Sequence, residues 1–191
     1  MKYMFANCNY LTSLDLSSFV TSSLKDMNRI FSANKNIEYI NMKNFDTSQV
    51  TDMSYLFDQC AQLKEVDVSS FDTSNCYDFS FMFQDCGNLL FVNVSKFDTS
   101  NAKLMTGMFR RCSSLTSLDV SNFNTSSSKG LTFMFSYCRM LKKIDVRNFD
   151  ISKMDDITAM FESCSSLTSL DVSNFDTSKI ISMSYLFQGC S

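Results

Sequence analysis

Apolar and polar positions along this chain alternate in a pattern that returns every 26 residues. Stepping by 26 from Phe57 in both directions lands on Phe5, Phe31, Phe83, Phe109, Phe135, Phe161 and Phe187, with no slip. A fixed period of this size is the mark of a solenoid, in which no unit can bury its apolar face alone and stacking supplies the core. Each unit has two halves. In the first, Leu63, Val66 and Val68 are apolar while Glu65, Asp67 and Ser69 are polar. That period-two alternation predicts a half-buried strand, and stacked strands predict a parallel sheet with about 4.8 Å between neighbours. The run Phe-Asp-Thr-Ser, as at Phe71 to Ser74, predicts a turn whose side chains bond nearby backbone N–H groups and cap the next segment. In the second half, Val50, Met53, Leu56, Phe57 and Cys60 are apolar at helical spacing, which predicts a short α-helix or 3₁₀ segment of about ten residues.

The expected architecture is an α/β repeat solenoid, leucine-rich-repeat-like, with one parallel-sheet strand plus a short α or 3₁₀ segment per 26-residue unit. Residues 1–191 read as a single solenoid of seven units. Met1 is in phase with Met27 and Met53, and Cys190 with Cys8, so the chain starts and stops inside a repeat. Terminal caps are expected of solenoids, so the chain reads as a piece of a longer protein lacking both.

Composition narrows the function classes. Pro is absent, Gly numbers 4 and Phe 19, which argues against linkers and disorder. Net charge is −3 with no basic run, so a nucleic-acid footprint is not supported. No apolar stretch is long enough to span a membrane, and no signal peptide is visible.

The run Met-x-x-Met/Leu-Phe-x-x-Cys-x-x-Leu-x-x-Leu-Asp-Val-Ser-x-Phe-Asp-Thr-Ser, repeated along essentially the whole chain, resembles the 26-residue repeat of bacterial surface proteins and lipoproteins. That repeat belongs with the BspA-like leucine-rich-repeat group. The resemblance implies a secreted or cell-surface protein, with adhesion to extracellular-matrix or cell-surface proteins and glycoproteins as the expected activity. Two features depart from the pattern: no export signal or wall anchor is visible, and Asn34 stands in the Cys column. Recent duplication is evident in SSLTSLDVSNF, which occurs at Ser113 to Phe123 and again at Ser165 to Phe175.

Several columns carry side chains capable of chemistry. Seven of the eight cysteines share one: Cys8, Cys60, Cys86, Cys112, Cys138, Cys164 and Cys190. None has C-x-x-C spacing, and a column of buried reduced thiols is the main reading, with disulfides or a metal site as alternatives. Two acidic columns are also present, Asp15, Asn41, Asp67, Asn93, Asp119, Asp145, Asp171 and Asp46, Asp72, Asp98, Asn124, Asp150, Asp176. A structural hydrogen-bond ladder is expected there, with calcium as the sharper alternative. The Thr column (Thr21, Thr47, Thr73, Thr99, Thr125, Thr177, broken by Ile151) reads as capping rather than ice binding. His is absent and no nucleophile elbow, P-loop or dinucleotide fingerprint occurs. The carboxylates recur identically in every unit where an active site needs one unique constellation, so no enzyme, cofactor or metal is expected. Asn93-Val94-Ser95 and Asn124-Thr125-Ser126 match the glycosylation triplet.

Core columns hold constant while the strand's solvent side varies. Tyr39, Leu90 and Phe91 have no folding reason to face water, and Lys43, Lys142, Lys143 and Arg147 add positive charge beside the Asp column. These seven are the candidate ligand contacts of a recognition surface. The alternative is a structural spacer that holds another domain away from the cell.

Overall fold

A computed structural model describes residues 1–190; residue 191, the last of the span expected for the solenoid, lies outside the described residues. The chain coils so that equivalent residues of consecutive units lie side by side. Among the described residues, four short strands form on one side: β1 (Ser13–Asp15), β2 (Tyr39–Asn41), β3 (Glu65–Val66) and β4 (Phe91–Val92). β1 pairs in parallel with β2 and β3 with β4, each in 26-residue register, as in Leu14 with Ile40 and Val66 with Val92. The continuous parallel sheet expected from the alternation is thus two separate two-stranded pieces.

The longer backbone ladder lies on the other side, in the segment that the spacing predicts as helical. Among the described residues there is no helix. Between Met53 and Cys60 the N–H groups of Met53, Tyr55, Phe57 and Gln59 donate to the carbonyls of Asp78, Ser80, Met82 and Gln84 in the next unit, at 2.7–2.9 Å. The alternate N–H groups, of Leu56, Asp58 and Cys60, donate three residues back to Met53, Tyr55 and Phe57. Tyr55 and Gln59 take left-handed φ angles of 57° and 59°, and the same two positions are left-handed in every unit from Tyr3 and Asn7 to Tyr185 and Gly189. Each left-handed residue resets the chain direction before a second helical turn can close. The segment is therefore a run of linked turns. Closure over three residues still turns Met53, Leu56, Phe57 and Cys60 into the core, which is why the apolar spacing imitates a helix.

Left-handed backbone costs an L-residue roughly 1–2 kcal/mol. The structure holds it because the N–H groups of the left-handed residues find carbonyl partners in the next unit, which an isolated unit could not supply. Ala33 is such a position, with φ 62° and its N–H bonded to the Asp58 carbonyl at 2.7 Å. Ala33→Gly keeps that bond and removes the Cβ penalty, so it is expected to raise stability by about 0.5–1 kcal/mol in denaturant unfolding. At Ala102, which is buried and lacks positive φ, the same change is expected to lower it.

The core is built from columns. Phe5, Phe31, Phe57, Phe83, Phe109, Phe135, Phe161 and Phe187 stack face to face, with centroids 5.4–6.0 Å apart and rings within 18° of parallel. All eight cysteines are free thiols. In the column, Cys60, Cys86, Cys112, Cys138 and Cys164 donate Sγ–H to the Phe carbonyl of the preceding unit, at 3.1–3.2 Å. Burial pushes the Cys60 and Cys164 thiols up to about 12, so they stay protonated donors. Asn34 substitutes with two such bonds, its Nδ2 reaching the carbonyls of Phe5 and Phe31 at 2.7 Å each.

Phe-Asp-Thr-Ser divides its labour. The Asp carboxylate caps its own turn: Asp46 Oδ1 accepts the Ser48 N–H at 3.0 Å and the Ser48 hydroxyl at 2.6 Å. The Thr is buried and pins the next unit, which corrects its reading as a local cap. Thr99 Oγ1 donates to the Asn124 carbonyl at 3.0 Å and accepts the Asn124 N–H at 2.7 Å. Thr21 and Thr125 repeat the pair on Asp46 and Asp150.

Candidate functional site

The strand side carries the variable residues, and its polar frame is set by local turns. Along the strand-side acidic column each Asp or Asn accepts the N–H two residues on, from Asp15 with Ser17 at 2.9 Å to Asp171 with Ser173 at 3.0 Å. Ser69, Ser95 and Ser121 add a hydroxyl donation to the same oxygen at 2.6–2.7 Å. These bonds favour the charged carboxylate and hold Asp67, Asp119 and Asp171 below the usual aspartate range. The hydrogen-bond reading of both acidic columns therefore has direct geometry behind it. Among the described residues, no group of three or more His, Cys, Asp or Glu is placed to hold a metal ion.

Tyr39, Leu90 and Phe91 are 53%, 55% and 57% exposed. Lys43, Lys142, Lys143 and Arg147 are exposed as well. Two adjoining depressions collect five of these seven. One, about 530 Å³, is lined by Tyr39, Lys43, Glu65, Asp67 and Phe91 among others. The second, about 740 Å³, runs from Phe91 past Ser117 and Asp119 to Lys143, Asp145 and Arg147. Phe91 and Asn93 belong to both. Leu90 and Lys142 lie one residue away and line neither. The depressions coincide with the breaks in the sheet: the first spans β2 and β3, which are not hydrogen-bonded neighbours, and the second lies beyond β4. Where strands do not pair, backbone donors and acceptors stay available to a ligand.

The positive charges are not equivalent. Arg147 makes a two-pronged pair with Asp145, Nε to Oδ1 at 3.0 Å and Nη2 to Oδ2 at 2.6 Å, on top of its own N–H donating to that carboxylate. Those bonds pull Asp145 down to about 2 and fix the guanidinium in place. Among the described residues, Lys43, Lys142 and Lys143 make no ion pair. Free positive charge on this face is thus carried by lysines. Lys64 is engaged by Glu38 at 3.6 Å.

Sequence reasoning did not single out Asn93, Ser117 or Asp119 as contacts, yet they form much of the floor between Phe91 and Lys143. They are ordinary members of repeating columns. It also missed a third acidic column, Asp26, Asp52 and Asp78, which stands in the ladder as consecutive parallel bridges. Each caps the N–H two residues on at 2.8–3.0 Å.

The family described as "Mycoplasma protein of unknown function, DUF285" matches residues 1–92 and again 88–191, so it accounts for the whole chain. The chain belongs to this family. Solved structures of bacterial leucine-rich repeat proteins are similar to it. A Treponema pallidum (T. pallidum) leucine-rich repeat protein superposes with a TM-score of 0.57 at 18% identity, over 88% of this chain and 70% of that one. A leucine-rich repeat protein from Eubacterium ventriosum gives 0.56 at 21% identity, over 96% of this chain and 44% of that one. No curated protein matches the chain. At these identities the DUF285 chain shares the leucine-rich-repeat fold with its neighbours, in agreement with the resemblance to the BspA-like repeat group.

Proposed function

We propose that this DUF285 chain is a non-enzymatic recognition module of a cell-surface or secreted protein, binding protein or glycoprotein ligands through its strand side. The observation that carries this reading is the grouping of Tyr39, Lys43, Phe91, Lys143 and Arg147 around two joined depressions, while the core columns beneath them hardly change. An exposed aromatic at the junction, flanked by fixed and free cations, is the composition of a contact centre. Repetition along the solenoid gives length, so weak contacts sum over an extended partner.

The test is binding of the chain to immobilised extracellular-matrix glycoproteins. A variant carrying Tyr39→Ser, Leu90→Ser, Phe91→Ser, Lys142→Ser, Lys143→Ser and Arg147→Ser runs beside it. Saturable binding weakened about tenfold or more in the variant is expected, since a single aromatic anchor is worth that much. Equal binding by both proteins, or none by either, overturns the reading and leaves the structural spacer as the function.

A further inference from the structure

Away from the strand-side depressions, where the turn ladder runs into the strand half, Asp85, Arg111 and Tyr137 occupy one left-handed position in three successive units, with φ of 56°, 59° and 62°. The column two residues on reads Ala61, Gly87, Ser113 and Arg139. The small side chains at Ala61 and Gly87 leave a depression of about 360 Å³, walled by Arg111, Tyr137 and Arg139. Both guanidinium groups lie against the Tyr137 ring, with their central carbons 5.6 Å (Arg111) and 5.4 Å (Arg139) from its centroid.

The charges do not cancel within the depression. Arg111 Nη1 sits 3.4 Å from Asp85 Oδ1, a single long contact. Arg139 makes no ion pair among the described residues. Glu162 is nearby but is occupied by the Ser136 and Tyr137 hydroxyls, at 3.0 and 3.3 Å, and does not line the space. Tyr137 is held by that bond, so the ring is a fixed wall. The constellation occurs once: the positions equivalent to Arg139 in the flanking units are Ser113 and Ser165, and those equivalent to Tyr137 are Arg111 and Ser163. Arg29 against Tyr3 and Tyr55, and Arg110 against Phe133, are each one cation on aromatic rings and line none of the depressions described above; two cations converging on one ring beside open space is what a specific site requires.

We infer that this depression binds an oxyanion group — a carboxylate, sulfate or phosphate — through the Arg139 and Arg111 guanidiniums. The planar fork of a guanidinium donates two parallel N–H bonds to such a group, and stacking on Tyr137 restricts the fork to few orientations before the ligand arrives. The site shares no residue with the strand-side depressions and stands or falls independently of them.

The experiment is a titration of the full chain with sodium sulfate, inorganic phosphate or sodium glucuronate, each at constant ionic strength made up with sodium chloride. The readout is the Nε–H resonances of Arg111 and Arg139 and the ring resonances of Tyr137. Saturable shifts confined to these groups are expected for at least one anion. Arg139→Ala is expected to weaken that anion about tenfold or more, because a charge-assisted pair is lost, and Lys153→Ala, at an exposed position that lines none of these depressions, to leave it unchanged. Arg139 is exposed, so its truncation leaves the core intact. The preferred anion identifies the group: glucuronate points to a carboxylated sugar, sulfate or phosphate to an ester. Absence of saturation with all three, shifts reproduced by chloride alone, or equal affinity in Arg139→Ala overturns the inference.

Discussion

Phe109→Ala is expected to lower the unfolding free energy by about 3–5 kcal/mol. Phe109 is fully buried and stacks on Phe83 at 5.5 Å and Phe135 at 6.0 Å, so truncation opens a cavity facing both neighbours. In a solenoid each unit contacts only those before and after it, so no distant packing can close the gap. Urea denaturation followed by circular dichroism measures the loss. Phe91→Ala is the control: the same atoms leave an exposed position, and a change within about 0.5 kcal/mol is expected. Comparable losses at both sites would mean that the Phe stack is not the core of the fold.

Thr99→Val is the second large effect, expected at about 2–4 kcal/mol although shape and volume barely change. The hydroxyl of Thr99 serves both the N–H and the C=O of Asn124, and valine can replace neither bond. Each backbone group left without its partner costs roughly 1–3 kcal/mol when water cannot reach it. The same column contains a natural break at Ile151, one unit before Asp176. Around Asp176 the flanking Phe175 is half-buried and Thr177 exposed, whereas Phe123 and Thr125 beside Asn124 are buried, so the turn that follows the break is the more open to water. Thr99→Val and Thr99→Ser measured side by side separate the causes. Serine keeps the hydroxyl and is expected to retain most of the stability. If valine is as stable as threonine, the inter-unit pin contributes nothing and lateral cohesion rests on the apolar columns alone.

The candidate contacts were legible because solvent-facing columns that vary stand out against core columns that do not. Tyr39, Phe91, Lys143 and Arg147 are read in this way, and the structure places them around joined depressions. Their energetic inequality was not legible. That Arg147 is locked by Asp145, two residues away, while Lys143 has no partner among the described residues depends on side-chain directions that a column assignment does not contain. The group at Arg111, Tyr137 and Arg139 escaped notice for a related reason. Register alone sets Arg111 beside Tyr137, but on a helix Tyr137 and Arg139, two residues apart, would face different ways, so the three converge only in the bent segment.

By itself the sequence determined the period, the register and the identity of the core. A strict 26-residue recurrence of Phe, Leu, Val and Cys leaves stacking in register as the arrangement that buries every column at once. Tertiary structure alone decided how the backbone of the second half is bent and where the sheet is broken. A helix satisfies its hydrogen bonds within one segment, so local spacing favours it. The ladder from Met53 to Gln59 satisfies half of its bonds in the next unit, which allows left-handed residues at Tyr55 and Gln59 that no isolated segment would tolerate. Spacing of apolar residues reports which side chains face inward and is blind to which carbonyl each N–H meets. That partner exists only once the neighbouring coil is in place.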